Sequence, residues 1–406
     1  MRLSHTVGRM SALFDEPNLI GSAGLVPAVA LADRIGLAEL VDRVLTVPGA
    51  KGCAGVKVTS VLAGMLAGAD SIDDLDVLRH GAMGKLFGGV RAPSTLGTFL
   101  RSFRFGHVRQ LDAVASRAVG LLAGRVPGLL PTGPIAYLDV DDTLKPVYGR
   151  SKQGAEHGYT HVLGLNAQLA TVSGPEVAPV IAAIIKTGSQ FTIGARLNQS
   201  VRASIGTIEE GAWVPIVYPN AIIDPDTGEL ISTAEVAETT YAAFTSSGAT
   251  GQVTARLIVR RVPERNTTKL AAAAQDGLFQ VWRYHALFTN QTAPLVEAEK
   301  THRGHAVIEQ VFADLKAGPL AHLPSKSFNA NAAWLAIATM AFNLTRALGV
   351  TAGGRYTRAE TATIRAQLIH TPARVATSAR HVRLHLPTRW PWAASWQRLW
   401  TTIMTT

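Results

Sequence analysis

The sequence predicts an α+β protein with a helical front, a β-rich middle and a helical back. Three observations predict it. Apolar residues recur at helical spacing through Leu25–Leu122, alternate residue by residue from Ile135 to Asp141, and return to helical spacing after His302.

In the front region, Leu37-Leu40-Val41-Val44 and Val58-Val61-Leu62-Met65 each lay an apolar stripe along a helix. Pro48-Gly49, Gly52, Gly88-Gly89 and Pro93 punctuate it, and Pro93-Ser94-Thr95 before Leu96, Phe99 and Leu100 reads as a capped helix start. Such a domain suits DNA binding or dimerisation, and the sequence leaves both open. In the middle, Tyr137, Asp139 and Asp141 fall on one face of a strand, with Leu138 and Val140 on the other. Tyr159–Leu163 and Ala167–Val172 read as two further strands. A helix over Pro175–Lys186 and a strand over Gln190–Arg196 follow, then strands near Trp213–Tyr218, Val253–Val262 and Phe279–Phe288. Asp224-Pro225-Asp226-Thr227-Gly228 is a turn signature without the spaced ligands of a calcium loop. In the back, helices are expected over His302–Lys316 and Asn331–Leu348. Two or three shorter ones and a cluster of Trp390, Trp392, Trp396 and Trp400 complete the chain. Ala332–Val350 is interrupted by Asn343 and Arg346, which predicts a buried core helix and no membrane span.

Composition narrows the function classes. A chain of 406 residues, 47% hydrophobic, can bury a core and more than one domain. Its net charge of +10 favours a polyanionic partner, although a soluble enzyme can carry a basic surface without one. From Ala317 to Thr406 the only acid is Glu360, against Lys326 and nine arginines, so this stretch reads as a surface for a phosphate backbone. Cys53 is the single cysteine, which excludes an internal disulfide framework and a multi-cysteine zinc site. Met1–Phe14 lacks the apolar core of a signal peptide, so a cytoplasmic location is expected.

Two groups of residues carry candidate chemistry. Asp139 and Asp141 share a face at the end of an apolar strand, with Asp142 beside them. Carboxylates there can reach a ligand crevice, and Mg²⁺ prefers such oxygen donors; a strand end with solvated acids is the plainer alternative. Further on, His302, His305, Glu309 and Lys316 recur at helical intervals, with Ile308, Val311, Phe312 and Leu315 as the packing stripe. The pattern is not the His-Glu-x-x-His zinc motif, and a solvated polar face would also produce it.

The segment Lys300-Thr301-His302-Arg303-Gly304-His305-Ala306-Val307-Ile308-Glu309-Gln310, with Lys316 beyond, resembles the signature helix of bacterial insertion-sequence transposases with an Asp-Asp-Glu site. More narrowly, it resembles the transposase DDE domain group 1 family. His302 and His305 stand where Tyr and Arg are common. Ala67–Arg79 and Pro93–Arg101 are similar to the family's amino-terminal domain, Leu138–Thr143 to its first catalytic strand, and Asn329–Leu335 and Ala341–Arg346 to its closing helices. The resemblance implies an RNase H-like mixed sheet flanked by helices, with a β-rich insertion. It implies Asp141 as the first metal ligand, with Asp139 as fallback, and Glu309 as the last. The ions would be Mg²⁺ or Mn²⁺, and Lys316, Arg303, His305 and His302 would contact DNA. Residues 1–130 would form the helical DNA-binding or dimerisation domain, 131–200 the first part of the catalytic domain, 201–290 the insertion, 291–350 the catalytic and closing helices, and 351–406 a basic tail. Partners would be transposon ends, target DNA and a second copy of the chain.

One expected residue is missing. The family's second aspartate follows the fourth strand of the sheet, yet no Asp lies between Asp142 and Asp224, and Leu169–Ser173 runs almost directly into Pro175–Lys186. An internal deletion of a strand and a helix accounts for this. Activity of this copy is then expected to be impaired. The rival readings are a DNA-binding protein without catalysis that occupies element ends, and a hydrolase using paired carboxylates.

Overall fold

A computed structural model describes residues 10–50, 52–130, 137–149, 151–158, 161–173, 190–216, 218, 233–243, 253–264, 281–304, 307–379 and 381–405. The chain divides into two compact units, one of residues 1–182 with 308–406 and the other of 183–307.

The chain opens with the short strand β1 (Leu19–Ile20) and six helices: α1 (Leu25–Arg34), α2 (Leu37–Val44), α3 (Ala54–Leu66), α4 (Met83–Leu86), α5 (Pro93–Arg101) and α6 (Phe105–Arg125). The apolar stripes expected from sequence are their buried faces, with Leu37, Leu40, Val41, Val58, Val61, Leu62 and Met65 all in the core. Pro93 occupies the first turn of α5, where its missing N–H costs nothing. Three strands follow: β2 (Tyr137–Pro146), β3 (Glu156–His157) and β4 (Leu163–Ser173), in the order β2-β4-β3. β4 is one continuous strand of 11 residues that takes in the strand expected over Ala167–Val172; of the strand expected over Tyr159–Leu163 only Leu163 belongs to it, Tyr159 and Thr160 lying outside the described residues. β4 stays extended because it pairs antiparallel with β2 along its whole length, from Leu138↔Val172 to Pro146↔Gly164. The helix expected over Pro175–Lys186 lies outside the described residues.

The second unit contains β5 (Thr192–Ala195), α7 (Gln199–Gly206), β6 (Val214–Ile216), β7 (Ala234–Ala243), β8 (Val253–Pro263), β9 (Trp282–Thr289) and α8 (Leu295–Gly304). Its strands form one antiparallel sheet in the order β5-β9-β8-β7-β6. Val201 and Ile205 of α7 pack on one face with Leu257, Val259 and Ala286. Ala298 and Leu295 of α8 pack on the other with Val236, Ile258 and Leu287. The alternation of those strand residues is what a sheet covered on both sides requires.

Back in the first unit come α9 (Val307–Lys316), α10 (Phe328–Ala352), α11 (Thr361–Ile364), β10 (Ala373–Ser378), β11 (His381–His385) and α12 (Ala393–Met404). α10 is the only described helix long and apolar enough to cross a membrane, and 61% of its apolar window is buried inside the protein. Trp334, in its second turn, is fully buried, its indole N–H donating to the Pro319 carbonyl at 2.6 Å. The expected helical, tail-like carboxy terminus is different in two respects. It contains the β10–β11 hairpin, and β10 pairs with β1 at the start of the chain. It is also part of the core: Tyr356, Ile364, Leu368, Ile369, Val375, Trp396, Leu399 and Ile403 are buried with the front helices. Some of its positive charge is used internally. Arg346 donates to the carbonyls of Thr357 and Ala359, and Arg355 to Gln367 at 2.5 Å.

Candidate active site

β2 carries Asp139, Asp141 and Asp142. Its alternation survives folding. Asp139 and Asp141 stand opposite Thr171 and Leu169 of β4, and Leu169 packs on the helical core. Leu138 and Val140 are exposed on the other face. Asp141 is exposed, and its Oδ1 accepts the Asp142 backbone N–H at 2.8 Å. Asp142 accepts from the Asn166 amide, which the hairpin register sets two residues along from its direct partner Gln168. Asp139 is half-buried.

Glu309 and Lys316 lie on α9, seven residues and two turns apart. Ile308, Phe312 and Leu315 bury the other stripe, leaving Glu309 exposed and Lys316 half-buried. His302 and Arg303 belong to α8, which begins at Leu295, just after Pro294 and seven residues before the expected helix start. His305 lies outside the described residues. Arg303 is held by Glu299, one turn earlier, with Nε–Oε1 at 3.1 Å.

Sequence reasoning missed three residues that fix this region. Lys152, half-buried after β2, donates to the Leu323 carbonyl and to the Ser325 carbonyl at 3.1 Å, and burial depresses its pKa. Gln153 adds a backbone bond to Lys326 at 2.9 Å. Together they tie the segment after β2 to the loop before α10. Asp314 of α9 accepts the Thr361 backbone N–H at 3.2 Å, which anchors α9 to the start of α11. Burial pushes its carboxyl up, opposed by Arg346 and Arg365.

Chemically, the acids of β2 can accept hydrogen bonds or bind a cation. Mg²⁺ takes about six oxygen ligands, several of them waters, and a two-ion site needs bridging carboxylate. Among the described residues, no group of three or more His, Cys, Asp or Glu is placed to hold a metal ion. Among the described residues, the donors therefore do not fit a pair of divalent ions.

The sequence pattern of transposase DDE domain group 1 matches residues 173–406. The chain belongs to this family. Its members generally use divalent metal ions, and a transposase acts on DNA. The match takes in α9 with Glu309 and Lys316, while Asp139 and Asp141 lie before its first residue. No curated protein matches the chain significantly.

Proposed function

We propose that this chain is a DNA transposase of insertion-sequence type whose strand cleavage and transfer are impaired because its second catalytic aspartate is missing. Asp141, with Asp139 as fallback, and Glu309 are the two acids that remain of the set. Lys316 contacts DNA phosphate, and the active assembly is a dimer on paired element ends. β2 and β4 are the first strands of an RNase H-like sheet, and the strands within residues 201–290 belong to the insertion before the last catalytic helix.

One observation carries the reading. β2 is the edge strand of its sheet among the described residues, bonded to β4 alone, with apolar Leu138 and Val140 exposed. In an RNase H-like sheet the first strand is central, with the fourth strand along its other side. A strand expected at the centre of its sheet but left at an edge is what an internal deletion directly after β4 would produce. The same deletion removes the aspartate that follows the fourth strand.

The incomplete donor set also favours a second reading, a non-cutting protein that occupies element ends. Both are tested by one assay: Mg²⁺- and Mn²⁺-dependent nicking of duplex carrying whatever inverted repeats sequencing of the flanking DNA finds on either side of the reading frame. Cleavage near background, unchanged in Asp141→Asn, with salt-sensitive DNA binding retained, is expected. Robust cleavage lost in Asp141→Asn or Glu309→Gln would overturn impairment, and absence of any DNA binding would overturn both readings.

A further inference from the structure

We infer that one face of the five-stranded sheet carries a built phosphate-binding surface, formed by Arg260, Arg283 and Arg303 around Tyr218, that grips the DNA backbone. The inference rests on the transposase reading for the identity of the polyanion, and otherwise on the geometry of this unit alone.

The centre of the surface is Glu299, whose side chain is only 3% exposed. Two guanidiniums share that single carboxylate: Arg303 at 3.1 Å and Arg260 at 3.6 Å. Tyr218 orders both. Its ring lies 4.7 Å beneath the Arg303 guanidinium, and its hydroxyl accepts from Arg260 at 3.2 Å. The register of β8 and β9 adds two more bases to the same face. His285 pairs with Arg260, and Arg283 pairs with Val262, two positions along. Both are exposed, and Arg283 has no ion-pair partner among the described residues. One buried carboxylate thus stands against three guanidiniums. Partial burial, and after it the charges of Arg260 and Arg283, pull the His285 pKa down, with Glu299 opposing.

The opposite face of the same sheet shows what a purely structural arginine looks like here. Arg261 lies between the rings of Trp213 and Trp282, at 4.2 and 4.3 Å, and is paired with both Glu210 and Glu235. Two carboxylates meet that one cation, so no charge is left for a ligand. On the Glu299 face the ratio is reversed. Guanidiniums already held by an aromatic ring and a carboxylate lose little freedom on docking, and their planar fork matches phosphate oxygens. The guanidiniums are spread over two adjacent strands and a helix, an arrangement that suits an extended backbone.

The test uses the full-length chain and a linear duplex of arbitrary sequence, titrated across a KCl series. Arg283→Glu is expected to weaken binding roughly three- to tenfold on every duplex and to reduce the slope of log K against log[KCl] by about 1. Arg202→Glu, a charge-matched change on α7 over the other face, should leave the slope in place. Protection needs no variant: bound duplex should shield Arg283 of the wild-type chain from phenylglyoxal while Arg202 still reacts, read by mass spectrometry. Equal effects of the two substitutions, an unchanged slope in Arg283→Glu, or an unshielded Arg283 would each overturn the surface while leaving the transposase reading intact. A wild-type chain that binds no duplex would instead remove the reading on which the surface rests.

Discussion

The helical core around α10 and the β2–β4 ladder belong to one compact unit but are built to different standards. In the core, Trp334, Ile337, Leu344 and Leu348 are buried against helices from both ends of the chain. In the ladder, Leu138 is 37% and Val140 55% exposed, and among the described residues β2 has a single neighbouring strand. The two regions were specified by equally clear apolar patterns, so the difference does not lie in local propensity. It lies in whether the rest of the chain supplies the partner that the pattern calls for. Asp139 and Asp141 therefore ride on a strand with one exposed apolar face, while the helix that carries Glu309 packs Leu315 into the helical core.

Three substitutions sharpen this contrast on the core side. Trp334→Ala removes a fully buried indole and leaves the Pro319 carbonyl without its donor. It should cost about 3–5 kcal/mol in urea unfolding, and a loss under about 1.5 kcal/mol would break the claim that this core is tightly packed. Gly24→Ala comes next. A Cβ there would lie 2.1 Å from the Leu368 carbonyl oxygen and 2.6 Å from the Ile369 Cα, both backbone atoms that cannot swing away. The seam between α1 and the carboxy-terminal segment must open, at about 1–3 kcal/mol, seen as a lowered melting temperature. Asp314→Asn is smaller and depends on pH. Burial raises the Asp314 pKa in the folded chain, so its contribution is fully present below the unfolded value and is lost as pH rises through the folded one. The Asn variant keeps an acceptor for Thr361 and should gain on the wild type, within about 1 kcal/mol, between pH 4 and pH 7. A wild type that gains on the variant over that range would contradict the assignment.

How far the sequence could be read follows the same line. α10 was legible because its own apolar run decides its fate. β8 was legible from Val253 onward because β-branched residues crowd it. β7 was not: Ala-Glu-Val-Ala-Glu favours a helix in isolation, and only pairing with β6 and β8 on either side holds Ala234–Ala243 extended. The β10–β11 hairpin lacks an Asn-Gly turn signal, and its turn places Ala379 at φ 53°, a conformation that residue seldom takes. At the site, the placement of Asp139 and Asp141 on one strand face needed only their alternation. Lys152 offered no signal, since the carbonyls it binds come 171 and 173 residues later. Arg303 was visible as a base on a helix. Its pairing with Glu299 was within reach at one turn's spacing, but a helix starting at His302 excludes that partner.

The smallest expected effect is the most telling about the ladder. Replacing Leu138 and Val140 together by Thr keeps β-propensity and removes apolar surface from the exposed face of β2. If that face meets only water, the double variant should change unfolding free energy by no more than about 0.5 kcal/mol. It should also be the more soluble protein, because an apolar strand at a sheet edge is a template for intermolecular pairing. A cost of several times that size would mean that something covers β2 in solution. Concentration dependence of the wild-type melting temperature, abolished in the double variant, would identify the cover as a second copy of the chain. The missing strand would then be supplied in trans, and the contrast between core and ladder would belong to the monomer alone.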